Sequence, residues 1–247
     1  MTEIKADETR FREALEARGV GSDIGTYKEK TLHKTLKYYF CPDGSMHEKQ
    51  LCGKICDAYD GKTVYEIQTG SFSHLKDKLA AFLPHYKVNV VYPLIVRRYV
   101  VWVDPQTGET TSRRLSGKRG TFTDLLPQLY AVREFLDDPS LTLTVAYVEC
   151  EDVRLLDGYG ADRKIRASKY DKVPAALTGI TEFRGVSDLK QMCPEISDGE
   201  YRAKQIYKIL KIREGANAWR TLKVLEYIGV IKETGRDGKA ALYSKMK

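Results

Sequence analysis

The chain has 247 residues, of which 42% are hydrophobic and 30% charged, enough for one large domain or for a medium domain with a small one. It contains no run of about 18 apolar residues, which excludes a membrane-spanning helix. Its five cysteines, Cys41, Cys52, Cys56, Cys150 and Cys193, include no CxxC pair, which argues against a disulfide framework or a zinc site. The net charge of +7 is localised: residues 199–247 carry 12 Lys and Arg against 5 Asp and Glu, and the rest is neutral. Such a basic end is what a nucleic-acid anchor needs, because phosphate contacts supply most non-specific affinity.

The opening "MTEIKADETRFREALEARG" lacks the apolar middle of a secretory signal, so a reduced, cytoplasmic protein is expected. "ADETRFREALEA" predicts a short amphipathic helix ended by Gly19. "TYKEKTLHKTLKYYF" predicts a second, with Leu32, Leu36, Tyr39 and Phe40 at helical spacing and a Thr26–Glu29 capping box at its start. "HEKQL", "GKICDAY" and "TVYEIQT" predict short strands, the last two joined by a turn at Asp60-Gly61-Lys62. "SHLKDKLAAFL" predicts a helix stopped by Pro84, and "YKVNVVYPL" a buried strand. The order to this point is α-β-β-β-α-β.

A hairpin follows in "YVVWVDPQTGETTSRRL", then a helix near "FTDLLPQLYAVREFL" and an alternating strand, "LTLTVAYVE". Residues 158–175 lack periodicity and read as a connector. Helices in "VSDLKQM", "YRAKQIYKIL" and "GANAWRTLKVLEYIG" precede a hairpin with a Gly-rich tip in "VIKETGRDGKAALYSKM".

The stretch "CDAYDGKTVYEIQTGSF" carries the chemistry. Alternation along a strand puts Glu66 and Gln68 on one face and Tyr65 and Ile67 on the other. A two-residue loop at Gly61-Lys62 would set Asp57 directly opposite Glu66. A loop at Asp60-Gly61 would make them diagonal neighbours, and a three-residue loop would separate them. Two carboxylates at about 4 Å repel by roughly 4 kcal/mol at an effective dielectric of about 20, unless a cation lies between them. The alternatives are therefore a solvent-facing hairpin with incidental acids or an oxygen-only site suited to magnesium.

Asp57 followed by Glu66-Ile67-Gln68, within that element order, resembles the PD-(D/E)XK nuclease core over residues 26 to about 95. The resemblance implies an α/β, restriction-endonuclease-like mixed sheet in which Asp57, Glu66 and the carbonyl of Ile67 hold Mg²⁺ or Mn²⁺. It also implies a helical glutamate, matched by Glu29, whose rival role is the capping box; Glu48 is a second additional acid. The departure is Gln68, where the family usually has lysine. Glutamine cannot act as a base but can orient a water through its amide. His33, His74 and His85 read as surface or core residues rather than ligands.

The three C-terminal helices and basic hairpin resemble a small winged-helix domain over residues 182–247. In the third helix Trp219, Leu222, Leu225 and Ile228 read as core, with Asn217, Arg220 and Thr221 on the opposite side. By that resemblance the helix enters the major groove while Arg236 and Lys239 touch phosphates. Protein docking is the other use of such a module. The stretch "TSRRLSGKRGT" adds Arg113, Arg114, Lys118 and Arg119, either along a phosphate backbone or as a solvated loop.

The expected organisation is a nuclease-like domain at 1–157, a connector at 158–181 and a winged helix at 182–247. The expected function is metal-dependent hydrolysis of DNA phosphodiesters, with DNA as partner, a homodimer as an option and no membrane association. The alternative is a catalytically inactive, nuclease-like DNA-binding regulator or interaction module. Action on RNA is a third possibility.

Overall fold

A computed structural model describes residues 1–17, 30–159 and 166–246. Strand β1 (Thr2–Ile4) and helix α1 (Glu8–Ala17) come first, and Asp7 caps the helix by accepting from the Arg10 N–H at 3.0 Å. Helix α2 (Thr31–Phe40) follows, with the Thr31 N–H donated to Asp171 at 3.3 Å. A carboxylate at a helix N-terminus satisfies an orphan N–H and complements the helix dipole. The Thr26–Glu29 capping box lies outside the described residues.

Among the described residues, strands β2 (Gln50–Leu51) and β3 (Lys54–Ile55) pair only with each other, and "HEKQL" reaches the main sheet through a single bridge from His47 to Ala58 rather than as one of its strands. Strands β4 (Ala58–Tyr59) and β5 (Thr63–Ile67) are the anticipated hairpin. Ala58 pairs with Tyr65 and Tyr59 with Val64, so Gly61-Lys62 is the two-residue loop and Asp57 falls opposite Glu66. Asp60 shapes that loop by accepting from the Lys62 and Thr63 N–H groups at 2.9 and 2.7 Å.

Helix α3 (Leu75–Phe82) leads into the long strand β6 (Lys87–Val103). Strands β5 and β6 run parallel, and the last ladder bond from β5 is Gln68 N–H to Val91 O at 2.8 Å. The next donor on that side of β6 would be residue 93, which is Pro93 and has no N–H. The pairing therefore stops beside the Glu66–Gln68 segment and leaves the end of β5 open to other partners.

After β6 come β7 (Arg114–Leu115), a broken helical stretch containing α4 (Leu126–Leu129), and β8 (Leu141–Leu155). The segment expected as a connector instead contains β9 (Ser168–Phe183), a 16-residue strand antiparallel to β8. Its period-2 pattern is broken by Pro174, Gly179 and three register shifts against β8, which is why the alternation does not show in the sequence. Among the described residues, seven strands form one mixed sheet in the order β1-β9-β8-β6-β5-β4, with β7 on β6.

The remainder comprises α5 (Val186–Met192), β10 (Glu200–Arg202), α6 (Ala203–Ile209), α7 (Ala216–Tyr227), β11 (Ile231–Asp237) and β12 (Ala240–Lys245). Its strands form a separate sheet in the order β10-β12-β11. The protein is thus a mixed α/β fold with a mixed central sheet.

Two hydrophobic layers cover the main sheet. On one face Phe11, Leu32 and Leu36 of α1 and α2 meet Ile67, Val91, Ile95, Ala146 and Val148. On the other, Leu75, Leu79 and Phe82 of α3 and Leu126 and Leu129 of α4 meet Val64, Val88, Val90, Leu143 and Val145. Leu222 and Leu225 of α7 belong to that second layer, so the C-terminal module shares its core with the sheet domain. Truncating the fully buried Leu129 to alanine should cost about 2–5 kcal/mol by lost transfer energy and cavity formation. Because the core is shared, urea transitions followed by tryptophan fluorescence and by far-UV circular dichroism should coincide and shift together. Separated transitions would contradict a single cooperative core.

Candidate active site

Hairpin register and helix packing bring five side chains together at the open end of β5. Glu66 shares a face with Val64, under α3, and is completely buried. Lys78, one helical turn after Leu75, reaches down from α3 and donates to both Glu66 oxygens at 2.9 Å. The Gln68 amide lies 3.5 Å from Glu66 Oε2. Asp57 turns its carboxylate into the strand plane, where Oδ2 accepts the Ile67 N–H at 2.7 Å and meets His33 Nε2 at 3.2 Å.

This environment removes one of the two readings of the hairpin. A solvent-facing strand would leave Glu66 hydrated, whereas here both sheet faces are covered and Glu66 has no exposed surface. Burial pushes the Glu66 carboxyl up to about 7, and nearby Asp57 adds to the rise while Lys78 opposes it. Burial also raises Asp57, but the His33 contact, the Ile67 N–H and Lys78 outweigh it and hold this acid below its ordinary value. Two neighbouring carboxyls are therefore split, one easily ionised and one poised near neutrality.

Among the described residues, no three His, Cys, Asp or Glu side chains assemble as a group able to hold a metal. Asp57 and Glu66 remain a two-carboxylate oxygen pair. That set, with a carbonyl, waters and substrate phosphate, suits magnesium in kind, provided Lys78 yields an oxygen.

Other expected site residues lie elsewhere or outside the described structure. Glu29 is outside the described residues. Glu48 pairs with Lys37 of α2 rather than joining the site. Thr221 is only 1% exposed and donates to the Asn217 carbonyl at 2.9 Å, so its expected DNA-facing position is corrected. Trp219 is also corrected: it is 46% exposed and sits edge-on to Tyr130 at 5.2 Å. The helix turns Ala218 and Thr221 inward with Leu222 and Leu225, because small side chains let α7 approach α4 closely. Arg113 is stacked on Tyr99 and paired with Glu151 at 2.9 Å. Asn217, Arg220, Arg236 and Lys239 are exposed on the C-terminal module, as are Arg114 of β7 and Lys118 and Arg119 of the loop after it.

Lys78 and His33 were missed by sequence reasoning. Neither had a local signal: His33 meets Asp57 through the packing of α2, and Lys78 meets Glu66 through how α3 packs across β5.

Residues 30–184 match the family described as Domain of unknown function (DUF8091). The chain belongs to the DUF8091 family. The matched segment contains the whole Asp57–Glu66–Lys78–His33 cluster and ends one residue beyond β9. The chain is also 30% identical over 227 residues to an "Uncharacterized protein" of Treponema pallidum (strain Nichols), covering 90% of this chain and 87% of the relative. No solved structure matches.

The split pair predicts a pH signature. An acid whose pKa is raised by folding costs stability as pH climbs from its unfolded value, about 4.5, to its folded value, about 7. Glu66→Gln should therefore gain on the wild type across that interval, by on the order of 1–3 kcal/mol, and hold a constant difference above it. Urea midpoints in EDTA across this range give the test. A difference independent of pH would show that Glu66 keeps its ordinary ionisation.

Proposed function

We propose that this chain is a divalent-metal-dependent DNA nuclease, with a restriction-endonuclease-like core and a C-terminal winged helix that anchors the substrate. The observation that carries this reading is the fully buried Glu66 beside Asp57, with Lys78 bonded to both of its oxygens. Ordinary core formation has no use for two adjacent carboxyls at the open end of a strand, whereas cation and phosphate chemistry does.

In this reading Asp57, Glu66 and the Ile67 carbonyl would hold the cation. Magnesium or manganese, when bound, would supply a Lewis acid for the phosphoryl oxygen and acidity for the attacking water. Lys78 supplies from a helix the positive charge that the strand lacks at Gln68. Freed from one Glu66 oxygen, it turns toward the phosphoryl group and stabilises charge that develops there. Gln68 donates and accepts hydrogen bonds that orient the water, and His33 keeps Asp57 oriented and ionised.

The element order α5-β10-α6-α7-β11-β12 and the β10-β12-β11 sheet support the winged-helix reading. Asn217 and Arg220 are the exposed positions of α7 for base or phosphate contacts, and Arg236 and Lys239 lie at the hairpin tip. A groove of about 940 Å³ runs from Arg119 to Lys211, Arg213 and Asn217, joining this module to the sheet domain.

One observation favours a second reading. Lys78 already neutralises Glu66 without a metal, as a closed structural ion pair would in an inactive DNA-binding regulator. Nicking of supercoiled plasmid in Mg²⁺ or Mn²⁺ separates the two. The wild type should nick, Glu66→Ala should abolish the reaction, and Lys78→Met should slow it by about 10²–10³-fold, the usual loss for one charge-stabilising group. DNA binding without nicking by any form would establish the regulator instead.

A further inference from the structure

A cavity of about 520 Å³ opens past the end of β5, lined in part by Thr69, three residues beyond Glu66. Arg98 of β6, Lys172 of β9, and Lys118 and Arg119 of the loop after β7 all line it. Tyr92 and Leu94 supply an apolar wall. Four cations from three separate segments converge on one hollow, although strand pairing requires only that they have neighbours.

Nearby acids do not balance these charges. Asp152 is the carboxylate beside Arg98, at 3.4 Å, and pairs across the ladder with Lys172. Among the described residues, Asp152 Oδ1 and Arg98 Nε are buried without a hydrogen-bond partner. Asp124, also on the wall, is committed to capping, where its Oδ2 accepts the Thr121 N–H at 2.8 Å. Burial depresses the Lys172 ammonium below its ordinary value, with Arg98 adding to the effect against Asp152. A buried guanidinium edge and a desolvated ammonium are both improved by an anion with several acceptor oxygens.

The loop is fixed over the cavity. Gly120 donates its N–H to the Ile95 carbonyl at 2.7 Å, and a Cβ there would lie 2.8 Å from the same oxygen. Only glycine permits that approach, which holds Lys118 and Arg119 at the cavity rim.

We propose that this cavity is a phosphate subsite, in which Arg98, Lys118, Arg119 and Lys172 grip one backbone phosphate of a polynucleotide strand. The identity of the ligand as a strand rests on the nuclease reading of Asp57 and Glu66; the preference for a phosphoryl group rests on the cavity itself. Thr69 is three residues past Glu66, so a strand held here runs on toward the carboxylates. The subsite would let a part of the chain with no net positive charge engage nucleic acid.

The test is fluorescence anisotropy of a labelled oligothymidylate of about 12 nucleotides, a length suited to a single groove, in EDTA so that no cutting occurs. Lys118→Met/Arg119→Met and Lys172→Met should each weaken binding about tenfold or more. Lys87→Met, the same charge change at the opposite end of β6, should stay within about twofold. Inorganic pyrophosphate should compete with the oligonucleotide on the wild type and compete much less well on Lys172→Met. Should Lys172→Met fail to fold, the loop double variant, on exposed positions, carries the test alone. Wild-type affinity in the loop variant, equal losses in all variants including Lys87→Met, or no binding of either probe by the wild type would overturn the subsite. Competition by pyrophosphate without oligonucleotide binding would also overturn it, as it would mark a site for free phosphate rather than a strand. Metal-free binding is read apart from plasmid nicking, so either assignment can fail while the other stands.

Discussion

The burial of Glu66 is the constraint around which the sheet domain is arranged. A carboxyl with no exposed surface carries a desolvation penalty of several kcal/mol if ionised, and a neighbouring acid makes the penalty larger. The fold meets this by bringing Lys78 across from α3 and by lifting the Glu66 pKa to about 7. Each response depends on packing. Leu75, Leu79 and Phe82 seat α3 on Val64, Val88 and Val90, and that seating delivers Lys78 to its partner. Replacing the acid and its lysine with apolar side chains would ease folding, since buried ion pairs are commonly no more stable than hydrophobic substitutes. Stability alone therefore does not account for the pair.

Local features of this arrangement were legible in the sequence, and long-range ones were not. The Asp60-Gly61-Lys62 turn and the strand alternation put Asp57 near Glu66 in two of three loop registers, and the Ala58–Tyr65 and Tyr59–Val64 pairs show the directly opposed one. Helices at 8–17, 31–40 and 75–82 follow from apolar spacing and stop signals. By contrast, β9 carries Pro174, Gly179 and paired charges on a strand that β1 covers only at residues 180–182, so little of its length shows a buried face. The face of α7 was misjudged because a tryptophan outweighs an alanine in any hydrophobic pattern, yet close packing against α4 favours Ala218 and Thr221 and leaves Trp219 at the margin. Lys78 and His33 join the site through tertiary packing, which no pattern within either helix encodes.

The family match marks what is common to this kind of chain. The matched segment, residues 30–184, begins one residue before α2 and ends just after β9, so it takes in the helices and strands that form the site. The C-terminal module lies outside it, yet Leu222 and Leu225 enter the same hydrophobic layer as α3 and α4. A module that shares a core with its neighbour cannot swing freely, because separating the two would expose that apolar surface to water. The exposed faces of α7 and of the hairpin of β11 and β12 are therefore held at a fixed place relative to the carboxylates.

Pro93 connects these levels. By withholding an N–H from the end of β5, it ends the parallel ladder beside Gln68 and frees that corner of the sheet from regular pairing. A corner so opened can gather side chains from a helix above, a helix below and the facing strand, which a continuous ladder of Val and Ile would exclude. The positive charge can then come from α3 rather than from the strand, and Gln68 is released to act as a neutral hydrogen-bonding group. A helix-borne lysine also differs from a strand-borne one in reach: its four-carbon stem crosses the layer between α3 and the sheet and sets its ammonium on both Glu66 oxygens without displacing the backbone.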